Sequence, residues 1–286
     1  MMDIIKISHY FLMFYLIVSF QIFADVIPDK YETDNLYTSA NVIDICNPDA
    51  QSHNFHKDTD QDWVQFYGLK FEKYTISVDK PGIHCNPAIA LYFLDQNNRI
   101  TQIGETQNTG LEGISEEMVW TCNKNEVYYV KVWSLFVMVA GDDTCYSLSV
   151  HDSSAATNGR ISGVITDKYL GSPLMGVNVI TNIKRSAISN KLGKYRIFNC
   201  RQEAGIVLST KHIHYLDYTT TVDVNELVVT NKDLVITPDI DSDHQQGLAD
   251  VIWLLKHISL QDDHYSVASP VKLSVLIELL EILSRK

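Results

Sequence analysis

The sequence predicts a mainly β protein: two antiparallel β-sandwich domains in series, followed by a short C-terminal α-hairpin. Short runs rich in β-branched and aromatic residues recur from residue 40 to residue 236 and are separated by clusters of Gly, Asn, Asp and Pro, as is typical of sandwiches. A linker rich in Ser, Ala and Thr at 152–158 divides these runs into two groups. The tail then changes to apolar residues at i, i+3, i+4 and i+7, the spacing of amphipathic helices.

Length and charge limit the classes of function. A chain of 286 residues has room for two or three domains, and a hydrophobic content of 45% is ordinary for a globular protein. The net charge of −12 argues against binding to nucleic acid, whose partners are usually basic, and against anionic membrane surfaces. It is compatible with binding of divalent cations.

The first 24 residues have the pattern of a secretory signal peptide. An apolar run extends from Tyr10 to Phe23 after Lys6, and a small residue, Ala24, follows. We therefore expect cleavage after Ala24 and a location outside the cell or on its surface, although an uncleaved anchor is the alternative. No later apolar run is long enough to span a bilayer.

The cysteines predict disulfide bonds in the first domain. Export permits disulfides, and four of the five cysteines lie between residues 46 and 145. Four cysteines allow three pairings. The favoured pairing is Cys85–Cys122 with Cys46–Cys145, which leaves Cys200 as a spare thiol.

The first domain, residues 25–151, consists of strand-like runs in a recognisable order. The blocks that identify it are HNFHKDTDQDWVQFYGLKFEKYTI, PAIALYFLD, WTC with EVYYVKV, and a closing YSLSV. In this order they resemble the bacterial pre-peptidase C-terminal domain. The resemblance implies a non-catalytic, jelly-roll-like sandwich of the kind appended to secreted enzymes, especially peptidases.

A polar cluster in this domain has two interpretations. His53 and His56 lie three residues apart, and Asp58, Asp60 and Asp62 follow at alternate positions. Acidic residues with this spacing in a loop could hold calcium. The favoured interpretation is a solvated loop before a strand, because polar clusters are common in loops.

The second domain, residues 159–238, is similar to the carboxypeptidase regulatory-like domain, a transthyretin-like seven-stranded sandwich. The residues that carry this resemblance are Gly159, Gly163, Val164, Pro173, Leu174, Gly176, Val179, Gly193, Tyr195 and Ile197. The stretch AISNKLGKYRI predicts a hairpin with its turn at Asn190 to Gly193. The family is non-catalytic, so the resemblance implies a spacer or a ligand surface. His212 and His214 alternate in one strand, where an exposed pair is favoured over a shared metal.

The tail, residues 239–286, opens with an EF-like loop. Acidic residues stand at loop positions 1, 3, 5 and 12, and position 7 would offer a backbone carbonyl. Calcium takes six to eight oxygen ligands from such a loop. The predicted calcium ligands are Asp239, Asp241, Asp243, Gln245 and Asp250. The alternative is an acidic turn that only caps a helix.

Two positions depart from the general loop pattern. His244 replaces Gly at position 6, where the backbone needs a positive φ that His tolerates better than most residues. Asp250 replaces Glu at position 12, and Gly247 at position 9 would leave room for a water molecule. With LADVIWLLK following, the segment resembles one calcium-binding repeat of a dockerin domain.

A second copy of the helix supports this resemblance. LADVIWLLKHIS and LSVLIELLEILS are offset by 25 residues, and dockerins are likewise paired loop-helix repeats. The second loop has His264, Ser266, Ala268 and Val275 where the acidic residues would stand. One calcium ion at most is therefore expected, and recognition by a cohesin is in doubt.

The sequence as a whole predicts a secreted, bacterial, non-catalytic binding or assembly protein. It has no G-x-S-x-G, H-E-x-x-H or phosphate-loop motif, and the three assigned segments leave no room for a catalytic domain. The expected partner is an extracellular protein or polysaccharide, with a cohesin-like docking protein among the candidates. The alternatives are an accessory or remnant chain of a secreted peptidase or polysaccharide-degrading enzyme, and a hydrolase with an unrecognised site.

Overall fold

The computed structural model describes residues 26–136, 140–154, 156–225 and 228–252. The protein is mainly β, as predicted, with seventeen strands among the described residues. Residues 248–252 are helical. The predicted signal peptide and the rest of the predicted α-hairpin lie outside the described residues.

Nine strands form a first pair of sheets. They are β1 (Asn41–Val42), β2 (Gln51–Asn54), β3 (Gln61–Gly68), β4 (Lys73–Asp79), β5 (Pro87–Leu94), β6 (Ile100–Gln107), β7 (Glu116–Thr121), β8 (Glu126–Ser134) and β9 (Cys145–Asp152). One sheet has the order β1-β3-β8-β5-β6 and the other β2-β9-β4-β7. The pairing is antiparallel except for the parallel contact of β1 with β3.

The core of the first sheet pair lies between its two sheets. In β4, buried and less buried residues alternate, so that Tyr74, Ile76 and Val78 point inward, as the sequence predicts. Val64 and Phe66 of β3 meet them from the other sheet. Removal of this apolar surface from water stabilises the fold by about 25 cal/mol per Å².

Eight strands form a second pair of sheets. They are β10 (Gly159–Asp167), β11 (Asn178–Thr181), β12 (Ser186–Ile188), β13 (Lys194–Cys200), β14 (Glu203–His212), β15 (Tyr215–Val224), β16 (Val229–Asn231) and β17 (Leu234–Ile236). One sheet joins β13, β10 and β16, with β17 also on β10, and the other has the order β12-β11-β14-β15. The sequence predicts seven strands here, and β16 is the additional one.

The predicted turn at Asn190–Gly193 forms, but it does not close a two-stranded hairpin. Gly193 donates its N–H to the Asn190 carbonyl at 2.8 Å and has a φ of +69°. The flanking strands pair elsewhere, β12 with β11 and β13 with β10. The turn is therefore a corner at which the chain passes from one sheet to the other.

The two sheet pairs contact each other directly. The linker predicted at 152–158 joins the end of β9 to the start of β10. A small buried cluster consists of Tyr67 and Leu69 from the first pair and Ile188 from the second. The Ser186 hydroxyl donates to the Tyr67 carbonyl at 2.8 Å.

Three ion pairs extend this contact. In each, the cation belongs to the second sheet pair and the acid to the first. The pairs are Lys184–Glu72 at 2.9 Å, Arg185–Asp152 at 3.4 Å and Arg196–Asp44 at 2.6 Å. The charged rim and the apolar cluster together fix the two pairs against each other.

The favoured disulfide pairing is not formed. The described residues include all five cysteines, and no disulfide bond joins any of them. Cys122 follows β7, whose last residue, Thr121, pairs with Lys73. Cys85 follows the opposite end of β4, where its N–H donates to the carbonyl of Gly82. Seven residues of strand separate these ends by about 20 Å, far beyond disulfide reach.

The second favoured pair is separated in the same way. Cys46 donates its N–H to the Val150 carbonyl at 2.8 Å, and its Sγ accepts the Asp152 N–H at 3.4 Å. Cys145 begins the same strand, β9. The two cysteines therefore lie near opposite ends of an eight-residue strand, and the pairing is wrong for this structure.

Among the described residues, no helix is both long enough and apolar enough to cross a membrane.

Candidate metal sites

The tail loop brings together three of its predicted ligands. It follows β17 and ends in the helical residues 248–252. Asp239, Asp241 and Asp250 each offer a carboxylate oxygen, and these oxygens lie within 4.8 Å of one another. Asp239 and Asp250 are 2% and 4% exposed, whereas Asp241 is exposed. The loop thus forms a cup of two buried acids and one exposed acid.

The backbone of the loop has the shape that the pattern requires. His244 has a φ of 62°, which confirms the positive φ expected at position 6, and its N–H donates to Asp239 Oδ2 at 3.1 Å. Asp250 folds back over the loop, where its Oδ1 accepts the Ile240 N–H at 2.7 Å and its Oδ2 accepts the Gly247 N–H at 2.8 Å. Asp250, at position 12, is therefore hydrogen-bonded to the second residue of the loop, Ile240.

Asp243 is not part of the converging group. Its Oδ1 accepts the Gln245 N–H at 2.7 Å, and its own N–H donates to Asp241 Oδ1 at 3.4 Å. These are bonds of a tight polar turn. The predicted roles of Asp243 and of the Gln245 carbonyl as ligands stay predictions.

One oxygen in the loop favours a cation over a simple helix cap. Asp239 Oδ1 is buried and has no hydrogen-bond partner in the described structure, although Asp239 Oδ2 has one. A buried carboxylate oxygen without a partner is costly. Hard cations such as Ca²⁺ prefer carboxylate oxygens, so the residues present fit a calcium ion.

A second and more buried cluster lies in the first sheet pair. Residues 26–36 run across one end of this pair, where the Asp34 carbonyl accepts the Trp63 N–H at 3.1 Å and the Ile27 carbonyl accepts the Asn54 side-chain N–H at 3.0 Å. The segment places its acids against the polar cluster before β3. The members of this N-terminal cluster are Asp29, Glu32, Asp34, His53, His56, Asp60 and Asp62.

The N-terminal cluster corrects the favoured interpretation of this stretch as a solvated loop. Asp62 and His53 are 0% and 1% exposed, and Asp60 is 4% exposed; only Asp58 is exposed as expected. His53 lies on β2 and Asp62 on β3, so they face each other from different sheets. In the sequence, only the alternating acids at 58, 60 and 62 indicated this cluster. Nothing in the sequence indicated that Asp34 and its neighbours would join them, because residues 25–38 are irregular.

Both histidines face carboxylates. His56 Nδ1 lies 2.5 Å from Asp60 Oδ2 and 3.0 Å from Glu32 Oε1. His53 Nδ1 lies 3.4 Å from Asp29 Oδ2 and 3.7 Å from Asp62 Oδ1. The imidazole rings supply positive charge, when protonated, to an otherwise acidic pocket.

Burial and like charges govern the electrostatics of the N-terminal cluster. Burial, together with the charge of Asp62, raises the pKa of Asp34 to about 8. Burial lowers the pKa of His53, but its hydrogen bonds to Asp29 and Asp62 outweigh this effect and raise the pKa to about 9. With a pKa of about 8, Asp34 is mostly protonated at pH 7 unless an added positive charge lies beside it.

The histidine pair of the second domain has no such setting. The rings of His212 and His214 lie 6.0 Å apart, and the His214 N–H donates to His212 Nδ1 at 3.2 Å. Neither residue belongs to a group of three ligands in the described structure. Burial, with the neighbouring His214, lowers the pKa of His212.

No family model matches the chain, so none of the three family resemblances is confirmed. No curated protein matches it either.

Three solved structures show the level of likeness that exists. A type II cohesin–X-dockerin complex from Acetivibrio cellulolyticus is 15% identical, with 43% of this chain and 93% of that chain covered and a TM-score of 0.29. A shaft pilin from Lactobacillus rhamnosus GG is 9% identical over 54% and 87% of the two chains, with a TM-score of 0.23. The pilus 2b backbone protein of group B streptococcus is 9% identical over 67% and 95%, with a TM-score of 0.25. Likeness this weak says nothing about what the chain binds.

Proposed function

We propose that this chain is a secreted, modular, non-catalytic binding or assembly protein whose tail holds one calcium ion. The observation that carries the proposal is the convergence of Asp239, Asp241 and Asp250 around a buried oxygen without a hydrogen-bond partner. The net charge of −12 is consistent with cation binding. The absence of any catalytic motif from the sequence supports a role in binding.

The calcium ion would order the tail. The carboxylates of Asp239, Asp241 and Asp250 would hold it, and Asp243 with the Gln245 carbonyl would complete the shell. Calcium supplies positive charge that offsets the repulsion among the acids. Because Asp250 lies in the helical residues 248–252, order in the loop would pass directly to the helix that follows it.

The two sheet pairs would serve as a rigid spacer with a ligand surface. We assign them to domains at 25–151 and 159–238, with a linker at 152–158 and the tail at 239–286. The buried contact of Tyr67, Leu69 and Ile188 supports rigidity. An extracellular protein or polysaccharide is the partner class that suits such a spacer, with the tail as the docking element.

Calcium titration by calorimetry on the chain from residue 25 tests the proposal. We expect Asp239→Ala to lose one binding event that the unchanged chain shows, because it removes the buried ligand. Asp49→Ala is the matched control, since Asp49 is exposed and outside both clusters. At a calcium concentration of 100 times the dissociation constant, one site adds about 2.7 kcal/mol of stability. If Asp239→Ala releases the same heat of calcium binding as the unchanged chain, the loop is a helix cap and not a calcium site.

A further inference from the structure

We propose that the N-terminal cluster is a second divalent-cation site, in which the carboxylates of Glu32, Asp34 and Asp62 bind an oxygen-preferring cation and fasten residues 26–36 to the first sheet pair. The site is separate from the tail loop and shares no residue with it. It gives the irregular N-terminal segment a function that its sequence does not reveal.

The main chain sets the convergence of these three acids. Each offers an oxygen within 4.8 Å of the other two. Asp62 is fixed in β3, and the next residue, Trp63, donates its N–H to the Asp34 carbonyl at 3.1 Å. Asp34 is therefore held beside Asp62 by a backbone bond, independently of side-chain rotamers.

In each acid, one carboxylate oxygen accepts a hydrogen bond from a neutral side chain. Asp34 Oδ2 accepts from Asn41 at 3.1 Å, Asp62 Oδ2 accepts from the Tyr146 hydroxyl, and Glu32 Oε2 accepts from Asn35 at 3.3 Å. The second oxygen of each acid is buried. Glu32 Oε1 and Asp62 Oδ1 face the histidine rings, whereas Asp34 Oδ1 has neither a hydrogen bond nor an ion pair among the described contacts. Asp34 and Asp62 are both 0% exposed.

This pattern distinguishes the cluster from an ordinary acidic surface patch. Leaving a buried acceptor without a partner is destabilising, and more so when the group is charged. Asp34 Oδ1 is such an acceptor. A cation bound to it and to the nearby oxygens of Glu32 and Asp62 removes this cost.

The histidines do not balance the charge. The cluster holds five acids and two histidines, so three negative charges remain when all the acids are ionised and both rings are protonated. His56 faces Glu32 and Asp60, and His53 faces Asp29 and Asp62. Asp34 has no ion pair with either ring among the described contacts. A divalent cation beside Asp34 supplies the missing charge.

The ligand atoms indicate the class of cation. Carboxylate oxygens suit Ca²⁺, Mg²⁺ and Mn²⁺, whereas imidazole nitrogen suits Zn²⁺. Glu32, Asp34 and Asp62 form an all-oxygen set. We therefore assign the site to the oxygen-preferring class and choose Ca²⁺ as its probe, with Zn²⁺ as the contrasting probe.

Calorimetry on four proteins separates this site from the tail site. With the chain from residue 25, we expect two calcium ions per unchanged protein, one for Asp34→Asn, one for Asp239→Ala and none for the double variant. Asp34→Asn keeps the shape and the Asn41 contact but loses the charge. If the tail loop binds no calcium, Asp239→Ala will bind as much calcium as the unchanged protein, while Asp34→Asn will still lose one ion. The two proposals can therefore fail independently.

A melting experiment tests the same site, because the difference in melting temperature between Asp34→Asn and the unchanged protein should change sign when calcium is added. In EDTA, Asp34→Asn should melt at or above the temperature of the unchanged protein, because repulsion with Asp62 is relieved. In excess calcium the order should reverse, because only the unchanged protein gains the second ion. Asp49→Asn should follow the unchanged protein in both conditions. Glu32→Gln is the second variant, and it should reproduce the reversal.

Trypsin cleavage at the exposed Lys30 reports on the segment itself. We expect calcium to slow this cleavage at least about tenfold in the unchanged protein, and not in Asp34→Asn. Equal calcium responses of Asp34→Asn, Glu32→Gln and the unchanged protein would overturn the proposal. Binding of Zn²⁺ without binding of Ca²⁺ would overturn the assigned class.

Discussion

At the scale of single residues, three glycines of the second sheet pair stand where the backbone leaves no room for a side chain or takes a positive φ. A Cβ atom on Gly163 would lie 2.0 Å from the Lys232 carbonyl oxygen, and one on Gly159 would lie 2.1 Å from the Cys200 carbonyl oxygen. Gly193 has a φ of +69° at the corner between the sheets. Each of these positions excludes a side chain for a physical reason, so the glycine pattern in the sequence reflects close backbone packing.

Replacement of Gly163 by Ala should therefore be costly. We expect Gly163→Ala to lower the free energy of unfolding by about 2–3 kcal/mol, because the backbone near Lys232 must move. Chemical denaturation measures this change. The neighbouring Ser162→Ala is the control and should cost no more than about 1 kcal/mol, the value of its hydrogen bond to Asn231. Equal effects of both variants would show that the close approach is not formed.

The cysteines give a second prediction for single residues. Gly82 donates its N–H to the Cys145 carbonyl at 2.7 Å and accepts the Cys85 N–H at 2.8 Å. Burial, with the neighbouring Cys145, raises the pKa of Cys85 to about 12, so exchange with a disulfide reagent should begin at the exposed Cys145. The thiols of Cys85 and Cys145 can form a disulfide bond when oxidised glutathione takes up their two electrons and two protons.

We expect such a buffer to form a Cys85–Cys145 bond in place of the pairing favoured by sequence. Peptide mapping by mass spectrometry without reduction would detect it. Cys145→Ser should abolish the cross-linked peptide, and Cys200→Ser should not. A Cys85–Cys122 peptide from the folded protein would contradict the strand geometry described above.

At the scale of elements, strand alternation was predictable where one face of the strand is buried. The blocks DWVQFYGLKFEKYTI and EVYYVKV, which carry the resemblance of the first domain, fall on β3, β4 and β8. The sequence does not predict β2 and β6, because QSHN and ITQIGETQ carry mostly polar side chains. β6 lies at the edge of its sheet and is mostly exposed. An edge strand buries little, so it need not carry an apolar pattern.

The alternation in β4 predicts which of its side chains carry stability. Ile76 is 0% exposed and packs in the first core, so Ile76→Ala should lower the free energy of unfolding by about 2–5 kcal/mol. Thr75, its neighbour on the other face, is the control, and Thr75→Ala should cost about 1 kcal/mol or less. Urea denaturation measures both. A larger effect at Thr75 would mean that β4 faces the other way.

At the scale of the whole molecule, the contacts that assemble distant segments could not be predicted from sequence. The N-terminal cluster joins residues 26–36 to residues 53–63 through hydrogen bonds such as that from the Trp63 N–H to the Asp34 carbonyl, which no periodicity encodes. The tail loop was predictable because its converging acids lie within twelve consecutive residues. Likewise, the linker at 152–158 was predictable from its local composition, whereas no local pattern indicated the interface beside it.

We expect the interface to make the two sheet pairs unfold together. Ile188 is 2% exposed and belongs to the interface cluster with Tyr67 and Leu69. We expect Ile188→Ser to separate one calorimetric melting transition into two and to increase the radius of gyration in X-ray scattering. Val235→Ser, at a position 53% exposed, should change neither quantity. A single unchanged transition in Ile188→Ser would show that the pairs are coupled by the ion pairs instead.

The parallel pairing of β10 with β17 has a mechanical consequence. β10 is the first strand of the second sheet pair and β17 the last, and they run in the same direction, with Ile165 opposite Leu234 and Asp167 opposite Ile236. A pull on the chain from both sides of this sheet pair draws the two strands past each other lengthwise. Their hydrogen bonds then bear the load together instead of opening one at a time. A protein stretched between an anchor and a bound partner would resist extension at this clamp.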